Sequence, residues 1–132
     1  MKIKGKLVRI ASVSAAVVGM GLATAMPAHA TATGCTDGGS NCIQVVGSGL
    51  NVTKITSSYS KAPSTTSDYI ADLRIEIPGQ SAQYYYGYAS STQNSPVGYN
   101  WSSGHTGNYP NNTRICTSWA WTGGWACVTV HS

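Results

Sequence analysis

The sequence predicts an all-β protein: a small antiparallel β-sandwich, immunoglobulin-like in general architecture, with six to eight strands and two disulfides. Three observations support this. No window after residue 30 has the period of a helix. Short alternating segments recur with turn residues between them. Four cysteines in so short a chain indicate a framework of two disulfides.

Residues 1–30 have the composition of a secretory signal peptide. The basic residues at the start are Lys2, Lys4, Lys6 and Arg9. An apolar stretch, "IASVSAAVVGMGLATAM", follows and ends at "PAHA", which provides an Ala-x-Ala cleavage site. We therefore expect cleavage after Ala30 and a protein that is secreted and extracellular. A membrane anchor is disfavoured because Ser, Gly and Thr interrupt the apolar stretch.

Removing this segment makes the chain neutral. The formal charge of +4 for the whole chain equals the four basic residues of the signal peptide. The charged residues that remain are Lys54, Lys61, Arg74 and Arg114 against Asp37, Asp68, Asp72 and Glu76. Binding to nucleic acid and attraction to anionic lipid both need a basic surface. The sequence therefore predicts no nucleic-acid partner and no membrane insertion.

Residues 31–42 are predicted to form an extended N-terminal leader, and residues 43–132 the sandwich. Cys35 and Cys42 bracket the loop "TDGGSN", while Cys116 and Cys127 flank a hairpin rich in tryptophan. Four cysteines allow three pairings, of which these two local ones are the simplest. The alternative pairs both hairpin cysteines with the leader, which would tie the two ends of the chain together.

The hairpin "SWAWTGGWAC" offers two registers. If Gly123 and Gly124 form a two-residue turn, Cys116 and Cys127 are offset along the ladder by roughly 13 Å, too far to bond. If residues 120–123 form a four-residue loop that ends in a left-handed glycine, the two cysteines lie directly opposite each other. The second register is favoured.

The predicted strands follow in order after the leader. The first two are "IQVVG" and "LNVTKITSSYS"; in the latter, Leu50 and Val52 share a face and Ile55 falls out of phase, which indicates a bulge. Residues 92–112 are mostly irregular, with one short strand around residues 99–102. The last two strands are "TRICTSWAW" and "WACVTVHS".

Two central strands alternate clearly. In "ADLRIEIPG" the apolar residues are expected to face inward and the charged ones outward. The inward set is Leu73, Ile75 and Ile77, and the outward set is Asp72, Arg74 and Glu76. In "AQYYYGYASS" one face carries Tyr84, Tyr86 and Tyr88, and the other carries Tyr85, Gly87 and Ala89.

The sequence predicts no enzyme, no cofactor and no metal site. The mature chain has only His105 and His131 as candidate bases, and both are interpreted as solvated surface residues. Asp72 and Glu76 share one strand face with Arg74 between them, which indicates a surface charge ladder and not a pair of catalytic carboxylates. The cysteines are expected to be oxidised, and no cluster has the spacing of metal ligands.

Aromatic residues are the candidates for binding. The chain has four Trp, eight Tyr and no Phe, so some of these rings must fill the core. Alternation places Trp119 and Trp121 on the core face with Ile115, whereas the loop register leaves Trp121 and Trp125 near the hairpin tip. The candidate binding residues are Tyr84, Tyr86, Tyr88, Trp101, Trp121 and Trp125.

These features favour a secreted protein-binding or adaptor module. The extended leader would be free to pair with a partner's sheet or to enter its cleft. One alternative is a carbohydrate- or cell-wall-binding domain that stacks sugars on the exposed aromatic rings. Another is a secreted protease inhibitor that uses the leader or a disulfide-bounded loop.

The order of "GSGLNVTKITSSYS", "LRIEIPG", "NNTRICTSWAW" and "WACVTV" resembles small secreted β proteins of filamentous actinobacteria. These include the adaptor subunits of umbrella toxin particles. The resemblance covers residues 43–132. It implies a small sandwich that links a lectin-bearing subunit to a repeat-containing toxin, with residues 31–42 entering the lectin subunit.

Overall fold

The structure, a computed structural model, describes residues 2–4, 6–9 and 30–132 and consists of two antiparallel sheets. The strands are β1 (Lys2–Lys4), β2 (Lys6–Arg9), β3 (Ala30–Cys35), β4 (Asn41–Ser48), β5 (Asn51–Tyr59), β6 (Thr66–Glu76), β7 (Gln83–Ser91), β8 (Val97–Asn100), β9 (Gly107–Asn108), β10 (Thr113–Trp119) and β11 (Ala126–His131). A four-residue segment, α1 (Ser102–His105), follows β8, and Ser103 and Gly104 within it have backbone angles that are not helical. No helix in this described part of the chain has the length and apolar character needed to cross a membrane.

The front sheet has the strand order β1-β11-β10-β6-β7, and the back sheet has the order β2-β3-β4-β5-β8, with β9 also pairing with β5. The predicted sandwich is thus confirmed. Residues 30–132 form nine strands where the sequence suggested six to eight. The additional strands are β3, in the segment predicted as a leader, and β9, a two-residue strand within the stretch that lacks any periodic pattern.

The predicted leader is extended, but it is not free. Residues 30–35 pair with β4 along their whole length, and Ala32 is fully buried. At Gly34 an added Cβ would collide with the carbonyl group of Cys127 on β11, so the two sheets touch at this point. A residue with a side chain would hold them apart. The leader therefore belongs to the sandwich, because its backbone has a partner strand and its small residues allow close packing.

The residues of the predicted signal peptide are only partly described. Residues 10–29, which hold the apolar stretch, lie outside the described residues. In the full chain β1 pairs with β11 and β2 pairs with β3. Cleavage after Ala30 stays a prediction; a chain that begins at residue 31 would lack both strands and would make β11 and β3 the edges of their sheets.

The core lies between the two sheets and contains no Phe. The alternation in β6 is confirmed, since Leu73 and Ile75 face the core, and Ile77 packs against it. The largest apolar side chains that are fully buried are Trp119, Ile43, Ile55, Leu73, Ile115, Val45, Val52, Val128 and Val130. The predicted bulge in β5 is also confirmed, because the register with β4 shifts opposite Val46 and Gly47.

The disulfides join the two local pairs, Cys35–Cys42 and Cys116–Cys127. Cys116 lies directly opposite Cys127 in the ladder between β10 and β11, so the favoured hairpin register is confirmed. Two disulfides are consistent with an extracellular or otherwise oxidising environment.

The hairpin loop is longer than predicted. The last ladder pair is Thr117 with Ala126, and the positive φ belongs to Gly124 (136°) and not to Gly123. β10 continues beyond this pair along β6, while the Asn41 side chain enters the gap and donates to the carbonyl oxygens of Thr117 (3.3 Å) and Gly124 (3.4 Å). A side chain from the other sheet thus donates to one carbonyl oxygen on each side of the hairpin loop.

A chain of buried hydroxyl groups connects the two sheets. Trp101 Nε1 donates to Ser57 Oγ at 2.6 Å, and this oxygen forms a short hydrogen bond with Thr117 Oγ1. The Thr117 hydroxyl also donates to the backbone oxygen of Asp72 at 3.0 Å. Ser57 and Thr117 are fully buried, so these bonds offset the cost of removing their hydroxyls from water.

Candidate functional site

The outer surface of the front sheet presents a row of tyrosines. Along β7, Gly87 and Ala89 are buried, and Tyr84, Tyr86 and Tyr88 alternate with them on the outer face of the sheet. Tyr84, Tyr86 and Tyr88, which we call the tyrosine row, expose 65%, 68% and 59% of their surface. The predicted division of faces on this strand is therefore confirmed.

Trp125 extends the aromatic surface across the sheet. Its ring lies 6.3 Å from the ring of Tyr84, centroid to centroid, and the guanidinium carbon of Arg74 lies 4.4 Å from its centroid. Arg74 Nε is also 2.7 Å from Glu76 Oε1. The guanidinium group is thus held between an indole and a carboxylate. We call the tyrosine row, Trp125 and Arg74 together the front face.

The Cys116–Cys127 disulfide lies on the same side of the sheet, with Cys116 fully buried, and is beside two cations. Arg74 Nη2 is 3.7 Å from Cys116 Sγ, and Arg114 Nη2 is 3.2 Å from Cys127 Sγ. Asp72, which pairs with Tyr86 across the ladder, is partly buried, and this desolvation raises the pKa of its carboxyl group. The front face and the residues beside it therefore combine aromatic rings with charges of both signs.

A cleft opens at the edge of the sandwich, where β7 ends the front sheet and β8 with α1 lies beside it. Its volume is about 310 Å³. Tyr84 and Tyr86 form its rim on the side of the front face. The remaining lining residues, which define what we call the edge cleft, are Tyr85, Tyr99, Asn100, Trp101, Ser103 and His105.

The walls of the edge cleft are held by contacts within the fold. The Trp101 ring lies 4.4 Å from the ring of Tyr99 and 6.0 Å from that of His105. The His105 ring is 4.4 Å from Tyr85, and its backbone oxygen accepts a short hydrogen bond from the Tyr109 hydroxyl. Partial burial lowers the pKa of His105, which favours the neutral imidazole.

The predicted binding residues do not form one group. Tyr84, Tyr86, Tyr88 and Trp125 come together on the front face. Trp101, the fifth candidate, is not available as an open stacking surface: its indole is 3% exposed and is anchored through Ser57, so only part of it reaches the edge cleft.

Trp121 follows the core-face alternative and not the exposed one. It is partly buried, with its ring 5.2 Å from Tyr59, 4.6 Å from Tyr69 and 5.3 Å from Trp119. It turns towards the core because β10 continues along β6 past the last hairpin pair, which keeps the inward alternation of Trp119. Trp121 therefore closes one end of the core, and Trp125 is the tryptophan of the hairpin that joins the front face.

Sequence reasoning missed most of the edge cleft: Tyr85, Asn100 and Ser103 were not candidate site residues, and neither were Tyr99 and His105. His105 was interpreted as a solvated surface residue, yet it packs against Tyr85 in the edge cleft. Tyr99 and His105 stand in or beside a segment without periodic pattern, so no local signal indicates where their side chains point. The one hint was Gly87, a glycine in a tyrosine-rich strand, where Tyr99 makes a close approach.

A shallower depression lies between the turn after β3 and the hairpin tip. Its volume is about 480 Å³, and its lining includes Asp37, Gly124 and Trp125. Within the part of the chain that the structure describes, no three His, Cys, Asp or Glu side chains are grouped so that they could hold a metal ion.

Comparison of the chain with protein-family models, with curated proteins and with solved structures finds no match.

Proposed function

We propose that the protein is a secreted, non-enzymatic binding module that holds a partner protein against its front face. The tyrosine row is the observation that carries this proposal. Three tyrosines at alternate positions of one strand expose more than half of their surface each, next to Trp125 and Arg74. Exposed aromatic residues in one contiguous group are unusual on a protein surface without a binding role.

The residue types are those that dominate protein interfaces. Tyr, Trp and Arg supply most of the binding energy in such interfaces, because they bury a large area at a low cost in side-chain entropy. At roughly 200 Å² per ring, the exposed fractions of the tyrosine row amount to about 400 Å². That is about half of what one partner contributes to an interface of standard size. Trp125, Arg74 and their neighbours would supply the rest.

The charges on this surface favour a protein partner over a nucleic acid. Arg74 and Arg114 alternate with Asp72 and Glu76 across β6 and β10, and Arg114 Nη1 is 3.9 Å from Glu76 Oε2. A phosphate backbone needs positive charge without compensating carboxylates. A mixed surface suits a partner whose own charges alternate, because complementary charges select and orient such a partner.

This proposal assigns binding to the front face and not to residues 31–42. A leader that inserts into a partner would have to leave β4, which costs the β3–β4 ladder and the burial of Ala32. Secretion is part of the proposal, and the two disulfides support it. The adaptor role in a toxin particle, with a lectin-like or repeat-containing partner, stays a prediction from the resemblance.

The test is capture of the partner from the culture supernatant by the secreted protein, carrying a C-terminal tag, followed by mass spectrometry. The affinity of this partner is then measured for the wild-type protein and for the variant Tyr86→Ala. Loss of a central aromatic contact is expected to raise the dissociation constant of the complex about 30-fold. Tyr86→Phe keeps the ring and should bind within a few-fold of the wild type.

The matched control is Lys54→Ala, a change at an exposed position of β5 in the back sheet, which should leave binding unchanged. Circular dichroism should show the same fold for all variants, since both positions are exposed. If no partner is recovered in stoichiometric amounts, or if Tyr86→Ala binds as well as Lys54→Ala, the proposal is wrong.

A further inference from the structure

The edge cleft is chemically unlike the front face beside it. Its described lining consists of aromatic and neutral polar residues, without an aliphatic side chain and without Lys, Arg, Asp or Glu. His105 is its one residue that titrates near neutral pH, and burial lowers the pKa of this imidazole. A ligand in the cleft would therefore meet rings and hydrogen-bonding groups, and no fixed charge.

We propose that the edge cleft is a binding site for a neutral saccharide, with one sugar ring stacked on Tyr85 and its hydroxyl groups bonded by Asn100, Ser103 and His105. This site goes beyond the proposed partner-binding function, because it lies around the edge of β7 and the residues proposed to contact the sugar are not part of the front face. Tyr84 and Tyr86, which belong to both, form only its rim.

Aromatic rings and neutral polar groups together match the two sides of a sugar. The C–H groups on the face of a pyranose carry partial positive charge, and they pack against the negative face of an aromatic ring. The hydroxyls at its rim both donate and accept hydrogen bonds. Amide, hydroxyl and neutral imidazole groups can do the same, so Asn100, Ser103 and His105 suit such a rim.

Purely apolar and charged ligands fit less well. An aliphatic chain would desolvate Asn100 and Ser103 without giving them partners. An anion would find no cation in the lining. A volume of about 310 Å³ is at the lower end of the range for small-molecule sites, which suits one or two sugar rings.

The site is formed in advance by the fold. Trp101 is fixed twice, through Nε1 to Ser57 Oγ at 2.6 Å and through its backbone N–H to the Ile55 oxygen at 2.8 Å. Asn100 Oδ1 accepts the backbone N–H of Ser102 at 2.8 Å, which leaves the Asn100 NH₂ group as a donor for another acceptor. Little conformational entropy would therefore be lost in ordering the walls when a ligand binds, which favours measurable affinity even for a small contact.

The test uses the protein as secreted and three neutral probes, cellotriose, triacetylchitotriose and mannotriose, with trigalacturonate as the charged control. Binding is followed by tryptophan fluorescence and by ¹H–¹⁵N NMR, in which shifts should map to residues 98–105 and to the Trp101 indole N–H. Millimolar or tighter binding of at least one neutral probe, and none of trigalacturonate, is the expected result.

The variant Tyr85→Ala should weaken binding roughly tenfold or more, whereas Tyr85→Phe should retain it. Tyr88→Ala is the matched control, since Tyr88 is on the same strand but outside the cleft lining, and it should leave sugar binding unchanged. Thermal unfolding checks that each variant is folded. Three results overturn the proposal: no neutral probe binds, binding is insensitive to Tyr85→Ala, or the shifts map to Tyr88 and Trp125. None of these results bears on partner capture by the front face.

Discussion

Gly87 is the position where adding a single methyl group should have the largest effect. Gly87 lies on the inner face of β7, and a Cβ added to it would lie 2.5 Å from the hydroxyl oxygen of Tyr99 and 2.6 Å from the Cε2 atom of the same ring. Ordinary contacts between such atoms need about 3.5–4.0 Å, so the ring would have to move by about 1 Å or more. The Tyr99 ring packs against Trp101 at 4.4 Å, which prevents a small adjustment.

The expected cost of Gly87→Ala is about 2 kcal/mol of unfolding free energy. Overpacking by one methyl group in a close-packed region costs about 1–3 kcal/mol. Expelling the ring instead forfeits its pairing with Trp101, which is worth about 0.5–1.5 kcal/mol, together with its buried area. Both routes give the same order of magnitude, and either one displaces a wall of the edge cleft.

Urea unfolding followed by tryptophan fluorescence measures this cost. Gly98→Ala is the matched control, because the nearest atom to its added Cβ is Ser57 O at 3.4 Å, and we expect a change within about 0.5 kcal/mol. In a Tyr99→Ala background, Gly87→Ala should cost little, since the obstructing ring is gone. A cost for Gly87→Ala that is negligible, or that is the same in both backgrounds, would refute the close packing of Tyr99 on Gly87.

Three further predictions concern stability. Ser57→Ala should cost about 1–3 kcal/mol in urea unfolding, because the indole and the hydroxyl that Ser57 bonds lose their partner, whereas exposed Ser58→Ala should be neutral. Replacing both Cys116 and Cys127 by serine should lower the free energy of unfolding by about 2–4 kcal/mol. The double variant has no disulfide at this position, so a reductant should have no further effect there. Burial in the folded state lowers the pKa of His105, so the protein should be most stable at a pH above 6.5, the usual pKa of histidine, and should lose stability as the pH falls below that value. A series of thermal unfolding measurements at different pH values, in which His105→Gln loses as much stability as the wild type, would contradict this.

Features that depend on local alternation were predictable from the sequence. The two faces of β7 follow from a period of two, which is why Tyr84, Tyr86 and Tyr88 were placed together correctly. The register of the hairpin was predictable for a second reason. Two cysteines can bond across a ladder only when they lie opposite each other, and this condition selected the longer loop.

Features that depend on distant partners were not predictable. The segment before Cys42 is short and carries small residues, so its place in the back sheet depends on β4 and on the close contact of Gly34 with Cys127. The same holds for Trp101. It stands in a stretch without periodic pattern, and its indole is buried against Ser57, which is 44 residues away in sequence. No local window contains that information.

A side-chain oxidation footprint of the secreted protein, alone and with its captured partner, tests directly whether the front face is the binding surface. We expect the partner to protect Tyr84, Tyr86, Tyr88 and Trp125 from oxidation, while the partly buried Trp121 reacts equally in both states. Protection at residues 36–40 or on the back sheet, with the tyrosine row still fully reactive in the complex, would contradict the assignment of the front face as the binding surface.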